Sequence, residues 1–218
     1  MASSRTARPA SAVSDSIYRI VVWLDVRLGL LFAVGVPLVL LVWATLRREG
    51  AIQRLLGLYW KVASLMAIAL LLHVGNQRLA YPLVLLAQLL VVVVLWFWVD
   101  LNEELQDLPP WRALPLTARI WRWCLTIQGL ASAVLTSTAL ACSGAGPLAA
   151  AVRCAVWRQP PQQLNAWSDR GLDFVIGGDW NPTMAAFAGY VALLGYVVGL
   201  LQWLLVRLPR SGRVAGEF

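Results

Sequence analysis

Long apolar blocks dominate the hydrophobic and polar pattern of this chain. They lie near residues 28–46, 55–74, 79–99, 120–142 and 184–206. Each is close to the roughly 20 residues that a helix needs to cross a bilayer core. A surface helix of a soluble protein would instead repeat its apolar positions every third or fourth residue. The pattern predicts an all-α fold, a polytopic integral membrane helical bundle with about five transmembrane helices.

Three of the predicted spans contain residues that bear on packing. Pro37 follows Gly35 in the first span and removes one backbone donor, which predicts a kink. The fourth span is rich in Gly, Ala, Ser and Thr, and the fifth holds Gly195 and Gly199 at GxxxG spacing. Small residues let helices approach closely, so the fourth span is predicted to face protein and Gly195 and Gly199 to form a helix-packing site.

The remaining segments flank or connect the predicted transmembrane domain, residues 17–208. Residues 1–16 are small and polar and are predicted to be a flexible N-terminal tail. Ile17 to Arg27 mixes charged and aromatic residues and is predicted to be an interfacial lead-in, which either lies at the headgroups or extends the first helix. Residues 143–182 are predicted to be a long extramembrane loop, whose alanine-rich beginning is either a surface helix or a continuation of the fourth span. Residues 209–218 form a basic C-terminal tail.

Four carboxylates follow the third span, in a predicted helix extension over residues 100–108 that ends at a double proline. Asp100, Glu103, Glu104 and Asp107 have the spacing of one helix face. Three interpretations are open for this acidic face: a solvated surface paired with nearby arginines, a docking surface for a basic partner, or a divalent cation site. The nearby arginines are Arg112, Arg119 and Arg122. The cation site is the weakest interpretation because no glycine-turned loop is present to wrap an ion.

The composition fits a membrane protein. Hydrophobic residues make up 60% of the 218 residues and charged residues 13%, against about 25% charged in soluble domains. The net charge of +7 is explained by arginines in loops that face anionic lipid. The expected partners are therefore membrane lipid and other membrane protein subunits, with no nucleic acid.

Two ionisable residues lie in or near the second span. Lys61, beside Tyr59 and Trp60, is interpreted either as a snorkelling lysine at the interface or as an intramembrane group that faces a cavity. His73 is the only histidine, which excludes a bis-histidine haem. It remains open whether His73 is a plain interfacial residue, an axial ligand or a proton carrier.

No recognisable catalytic motif or metal-ligand spacing occurs, so the chain is not expected to be an enzyme or to hold a cofactor or metal. The twelve tryptophans cluster at predicted span ends, as in aromatic belts. Cys142 and Cys154 can pair if their loop faces an oxidising compartment; free thiols are the alternative. Nine arginines flank one side and eight the other, which favours a cytoplasmic C-terminus and an exported long loop by one residue.

Three segments resemble a known family: Trp23-Leu-Asp-Val-Arg-Leu28, Gly50-Ala-Ile-Gln-Arg-Leu-Leu56 and Leu95-Trp-Phe-Trp-Val-Asp-Leu-Asn-Glu-Glu-Leu105. The family is a group of uncharacterised multi-pass membrane proteins found mainly in cyanobacteria and classed as domain of unknown function 3177. The similarity extends from about Ile17 to Arg213. The resemblance implies a photosynthetic prokaryote and its plasma or thylakoid membrane. The family has no agreed activity, so no catalytic residue is carried over.

Two functions from different classes follow from these observations. The first is a small accessory subunit or assembly factor of a larger membrane complex, a photosynthetic one if the resemblance holds. The alternative is a transporter or channel component for a small solute or ion, motivated by Lys61, His73 and Pro37. Transporters usually contain internal repeats, and the sequence shows none, so the first function is favoured.

Overall fold

The computed structural model describes residues 8–109, 111–144, 152–176 and 180–211, and all regular structure in these ranges is helical. The helices are α1 (Arg8–Gly29), α2 (Val36–Arg47), α3 (Gly50–Val74), α4 (Ala80–Phe97), α5 (Val99–Asp107), α6 (Ala113–Ser137), α7 (Val152–Ile176), α8 (Pro182–Gln202) and α9 (Leu208–Ser211). Turns of π-helix occur at Leu30–Gly35 and Trp203–Arg207, and a 3₁₀ turn at Leu140–Ser143. The predicted all-α helical bundle is confirmed.

Four helices in the described ranges are long and apolar enough to cross a membrane. They are Asp15–Arg47, Gly50–Val74, Ala80–Phe97 and Pro182–Val206. The predicted fourth span corresponds to α6, which is not among them. In α6 the polar Ser132 and Thr136 are buried against protein, whereas Ile127 and Val134 are exposed. Because this helix turns polar residues inward and apolar residues outward, its average composition does not reveal its apolar outer face.

The bundle is organised around α3. This helix packs against α4 and α8, and its N-terminal part also meets α2 and α5. In turn, α4 packs against α6, and α1 packs against α6 and α7. The main core includes Leu40, Leu56, Tyr59, Leu95 and Trp121.

The α1 and α2 helices form one continuous rod through the π-helical turn. In that turn the Val36 N–H binds the Leu31 carbonyl, which leaves the Phe32 carbonyl without its usual α-helical donor. Pro37 has no N–H to offer Ala33. The indole of Trp121 donates to the Phe32 oxygen (2.8 Å), and the Tyr59 hydroxyl donates to the Ala33 oxygen (2.5 Å). Neighbouring helices thus satisfy both freed carbonyls.

The same rod bears on two predictions. The predicted tail of residues 1–16 is helical from Arg8 onward, with Pro9 in the first turn, where proline is tolerated; residues 1–7 lie outside the described part. The segment from Ile17 to Arg27, predicted either to lie at the headgroups or to extend the first helix, extends it, with Val22 buried and Ile20 exposed. Tyr18 bonds Thr138 and Asp25 bonds Gln128, so this segment lies along the whole C-terminal half of α6.

The acidic segment is a separate helix and not a direct extension of α4. The backbone is extended at Trp98, which separates α4 from α5. Trp98 is buried, and its ring contacts those of Phe97 and Trp203. Burial of this indole favours the break over a straight helix that would carry α5 away from the bundle.

The long connection over residues 143–182 also differs from a simple loop, because α7 continues through Pro160 and Pro161. Proline inside a helix normally breaks it. Here both prolines are buried on the same helix as Cys154 and Trp157, and α7 packs against α1 and α3. Tertiary packing therefore outweighs the local preference.

Candidate functional site

The end of the bundle that includes α5 is held by arginines of α6. The Arg119 guanidinium donates to the carbonyls of Leu105 (2.7 Å), Gln106 (3.0 Å) and Leu108 (2.9 Å). The last carbonyls of a helix lack intrahelical donors and carry partial negative charge. Arg119 therefore caps the C-terminal end of α5.

Arg122, one turn further along α6, does the same for α4. Its guanidinium donates to the Leu95 carbonyl and to the side-chain oxygen of Asn102, and lies 4.2 Å from the ring centre of Trp96. Asn102 in turn donates to the Trp96 carbonyl (3.0 Å). Arg122 is only 5% exposed, so its charge is neutralised by helix-end carbonyls and an aromatic face.

The four predicted acidic residues have different surroundings. Glu104 pairs with Arg54 of α3. Arg112 pairs with Glu49, which lies outside the acidic face, at 3.7 Å. The guanidinium groups of Arg119 and Arg122, which were predicted to pair with this face, bind backbone carbonyls. Glu103 and Asp107 are exposed, while Asp100 is half-buried. Among the described residues, no group of three or more His, Cys, Asp or Glu side chains is arranged to hold a metal ion.

A second polar cluster lies between α1, α4 and α6, and we call it the Asp25 cluster. Its members are Asp25, Gln88, Gln128, Ser132 and Thr136. Gln128 donates to one carboxylate oxygen of Asp25 (2.8 Å), and Ser132 donates to the other (2.8 Å). Gln88 donates to the hydroxyl oxygens of Ser132 (2.7 Å) and Thr136 (3.1 Å). Donors thus converge on a carboxylate that has no ion-pair partner among the described residues.

Sequence reasoning missed this cluster. Asp25 falls in the segment from Ile17 to Arg27, and the fourth span is predicted to face protein only because of its small residues. A signal was nevertheless present, because Gln128, Ser132 and Thr136 are spaced four residues apart and therefore share one helix face. Gln88 is also the only polar residue inside α4 apart from Tyr81.

Lys61 and His73 do not form a joint site. Lys61 is exposed on α3. His73 is buried three turns away, with its ring centre 4.8 Å from that of Tyr81. The exposure of Lys61 agrees with the snorkelling interpretation. The pair that motivated a transporter is therefore separated by about 18 Å along the helix.

Small residues of α8 do pack closely, but not those at the predicted positions. Ala185, Ala186 and Gly189 are buried against α3. A Cβ atom added at Gly75 would lie 2.6 Å from the Cβ of Ala186. Gly195 and Gly199 have no atom within 4 Å of an added Cβ, so within the described chain the predicted GxxxG pair contacts no other helix.

Two of the three cysteines are joined in a disulfide. Cys142 and Cys154 form a disulfide with a Cα–Cα distance of 5.7 Å, and Cys124 is free. The disulfide joins the 3₁₀ turn that follows α6 to α7. It lies beside Tyr18, to which Trp157 donates a hydrogen bond (2.8 Å).

Trp98, Trp121 and Trp157 are buried in protein, so these three indoles do not belong to a lipid-facing belt.

Comparison with known proteins places the chain in a family without assigning an activity. No curated protein matches the chain. No solved structure matches it either. One family model, described as protein of unknown function (DUF3177), matches residues 19–216. This match includes all of α2 to α9 and the C-terminal half of α1. The chain therefore belongs to the DUF3177 family.

Proposed function

We propose that the chain is a multi-pass integral membrane protein that acts as a small accessory or assembly subunit of a larger membrane complex. The observation that carries this proposal is the way in which α5 is held. Arg54, Arg119 and Arg122 all fix this helix, directly or through the end of α4. The fixed helix leaves Glu103 and Asp107 exposed.

A fixed charged helix suits docking better than catalysis. Binding costs less conformational entropy when the contacting side chains are presented on an ordered element. The carboxylates of Glu103 and Asp107 complement basic residues, and charge complementarity sets partner choice and register. The partner we propose is therefore a membrane protein with lysine or arginine at the membrane surface.

An apolar surface next to the acidic helix is compatible with this proposal. Leu38, Val39, Val42 and Leu46 are exposed on α2 and form a shallow groove with Trp43. The opposite face of α2 packs on α3, where Gln53 donates to the Ala44 carbonyl (3.0 Å). The next residue, Arg54, pairs with Glu104 of α5. These contacts put the exposed apolar face next to the acidic helix, within the candidate span Asp15–Arg47, where either lipid or an apolar face of a partner subunit would cover it.

The resemblance to cyanobacterial proteins narrows the setting of the proposal. In that setting the complex belongs to the plasma or thylakoid membrane of a photosynthetic prokaryote. Neither an enzymatic role nor a cofactor enters this proposal. The transporter alternative is the weaker one, because Lys61 and His73 lie far apart.

The test is native gel migration of the tagged protein from its own membranes in mild detergent, with mass spectrometry of the band. We expect co-migration with a larger complex, and loss of it in the double variant Glu103→Gln with Asp107→Asn. Asp15→Asn, which removes one carboxylate near the opposite end of the α1–α2 rod, is the control and should migrate as wild type. Wild-type protein that migrates alone as a small oligomer would contradict the proposal.

A further inference from the structure

The Asp25 cluster lies deep within the apolar part of the bundle. Gln88 is the ninth of the 18 residues of α4, which places it about 13 Å from either end of that helix. If α4 crosses the membrane, this is the middle of the hydrocarbon core. Gln88 is 7% exposed and connects through Ser132 to Asp25. The carboxylate of Asp25 therefore lies at mid-membrane depth.

An ionised carboxylate at this depth carries a large free-energy cost of desolvation. A role in holding helices together does not by itself require that charge. An asparagine would offer hydrogen bonds without a buried charge. Ionisable residues inside membrane spans pair with one another or mark sites of proton and ion binding. Nearby charged residues have other contacts: Arg27 of the same helix lies over the Trp23 ring. On the neighbouring helices, Arg122 binds the Leu95 carbonyl and Arg153 lies over the Tyr18 ring.

We propose that Asp25 is a proton-binding site inside the helical bundle, with Gln128 and Ser132 holding the ionised carboxylate. The donors show why the ligand is a proton and not a metal cation. An N–H of Gln128 and the O–H of Ser132 point at the carboxylate, and an N–H of Gln88 points at Ser132. The carboxylate oxygens already accept these donors, which a bound cation would have to displace, whereas a carboxylate that accepts donors is ready to take up a proton.

Gln88 provides for the protonated state. Its side-chain oxygen is buried and has no hydrogen-bond partner among the described residues. A proton from water adds to the Asp25 oxygen that faces Ser132, and the resulting O–H donates to the Ser132 oxygen. The Ser132 hydroxyl then turns toward Gln88, whose amide rotates so that its oxygen accepts. The chain of hydrogen bonds reverses its direction, and release of the proton to water restores it.

The experiment is modification of the purified protein in detergent by an apolar carbodiimide, which reacts with protonated carboxyl groups in apolar surroundings. Peptide mass spectrometry reads modification at Asp25 across a pH series, and Asp25→Asn identifies the site. We expect modification to increase as the pH falls. Ser132→Ala and Gln128→Met each remove one donor to the ionised form. Gln128→Met should raise the pH of half-modification by about one unit, because a hydrogen bond to a charged group changes a protonation equilibrium roughly tenfold. Ser132→Ala should raise it by less, because the Ser132 oxygen also accepts a hydrogen bond from the protonated form.

Ser137→Ala is the matched control, since its hydroxyl bonds only the Val134 carbonyl of its own helix; its pH profile should equal that of wild type. Three results would overturn the proposal: no modification of Asp25 at any pH, profiles in Ser132→Ala and Gln128→Met equal to wild type, or protection of Asp25 by sodium ions at constant pH. Sodium protection would mean that the cluster takes a metal cation. If Ser132→Ala fails to elute as a folded protein, the proposal is tested by comparing the pH profile of Gln128→Met with that of wild type.

Discussion

Arg119 and Arg122 lie one turn apart on α6, and each binds the carbonyl end of a different helix, α5 and α4 respectively. The two helices are separated by the extended residue Trp98. One face of α6 therefore fixes the angle at which the acidic helix leaves the apolar bundle.

The first prediction concerns these caps. Replacement of Arg122 by Met should lower the free energy of unfolding by about 3 kcal/mol, because the Leu95 carbonyl and Asn102 lose a charged donor in a buried position. Arg122→Lys should recover only part of this loss, since an ammonium group cannot bind both acceptors in a plane or stack on Trp96 in the same way. The measurement is thermal unfolding in detergent. Arg78→Met, which removes an exposed arginine, should leave the transition unchanged.

The second prediction concerns Pro37 and Tyr59. Tyr59→Phe should cost about 1 kcal/mol, because the Ala33 carbonyl loses the donor that replaces the missing N–H of Pro37. In a Pro37→Ala background the alanine N–H can satisfy Ala33, so the same Tyr59→Phe change should cost clearly less. A double-mutant cycle on unfolding free energies measures this coupling. Equal costs in both backgrounds would show that the hydroxyl does not compensate for the proline.

The third prediction separates the two sets of small residues. Gly75→Val should disrupt the contact of α3 with α8, because an added Cβ would lie 2.6 Å from the Cβ of Ala186 and 3.0 Å from the backbone oxygen of Pro182. Gly195→Val and Gly199→Val should leave the thermal stability of the isolated protein nearly unchanged, since open space surrounds both positions.

The same glycine variants test the predicted role of Gly195 and Gly199 in helix packing. If another membrane protein packs against this face of α8, the double variant Gly195→Val with Gly199→Val should lose co-migration while the isolated protein stays folded. Retained co-migration of the folded double variant would assign this face to lipid.

The fourth prediction concerns the disulfide between Cys142 and Cys154. Replacing both by serine should destabilise the protein by about 3 kcal/mol in the chain-entropy description of a short closed loop. Without a reductant, a maleimide should add once per chain, at Cys124, and after reduction three times. A second addition without reductant would show that the pair is reduced.

The disulfide also predicts an orientation. Disulfides persist on the oxidising side of a membrane, so the end of the bundle with Cys142 and Cys154 should be exported and α5 should face the cytoplasm. Single cysteines can be introduced at Gln77 and at Gln106 in a chain without its native cysteines. On intact cells an impermeant maleimide should label the cysteine at position 77 and leave the cysteine at position 106 unlabelled. Labelling at Gln106 alone would contradict this orientation.

Comparison of prediction and structure shows where local pattern is sufficient. The apolar blocks predicted α3, α4 and α8 to within a few residues, because an apolar segment of this length must satisfy its backbone hydrogen bonds internally and is therefore helical. The acidic spacing predicted a helix over residues 100–108, and the structure has α5 at Val99–Asp107. The break at Trp98 and the helix through Pro160 and Pro161 were not predictable, since burial against other helices stabilises both.

The sequence by itself determined that this protein is an α-helical bundle with several bilayer-length apolar helices, because hydropathy and helix length are properties of each segment alone. Only the tertiary structure decided which polar side chains meet. It directed Arg119 and Arg122 to helix-end carbonyls, and it brought Asp25 to Gln128 and Ser132 across more than a hundred residues of sequence. Such contacts depend on which helix faces are opposed, and the spacing along any one helix does not contain that information.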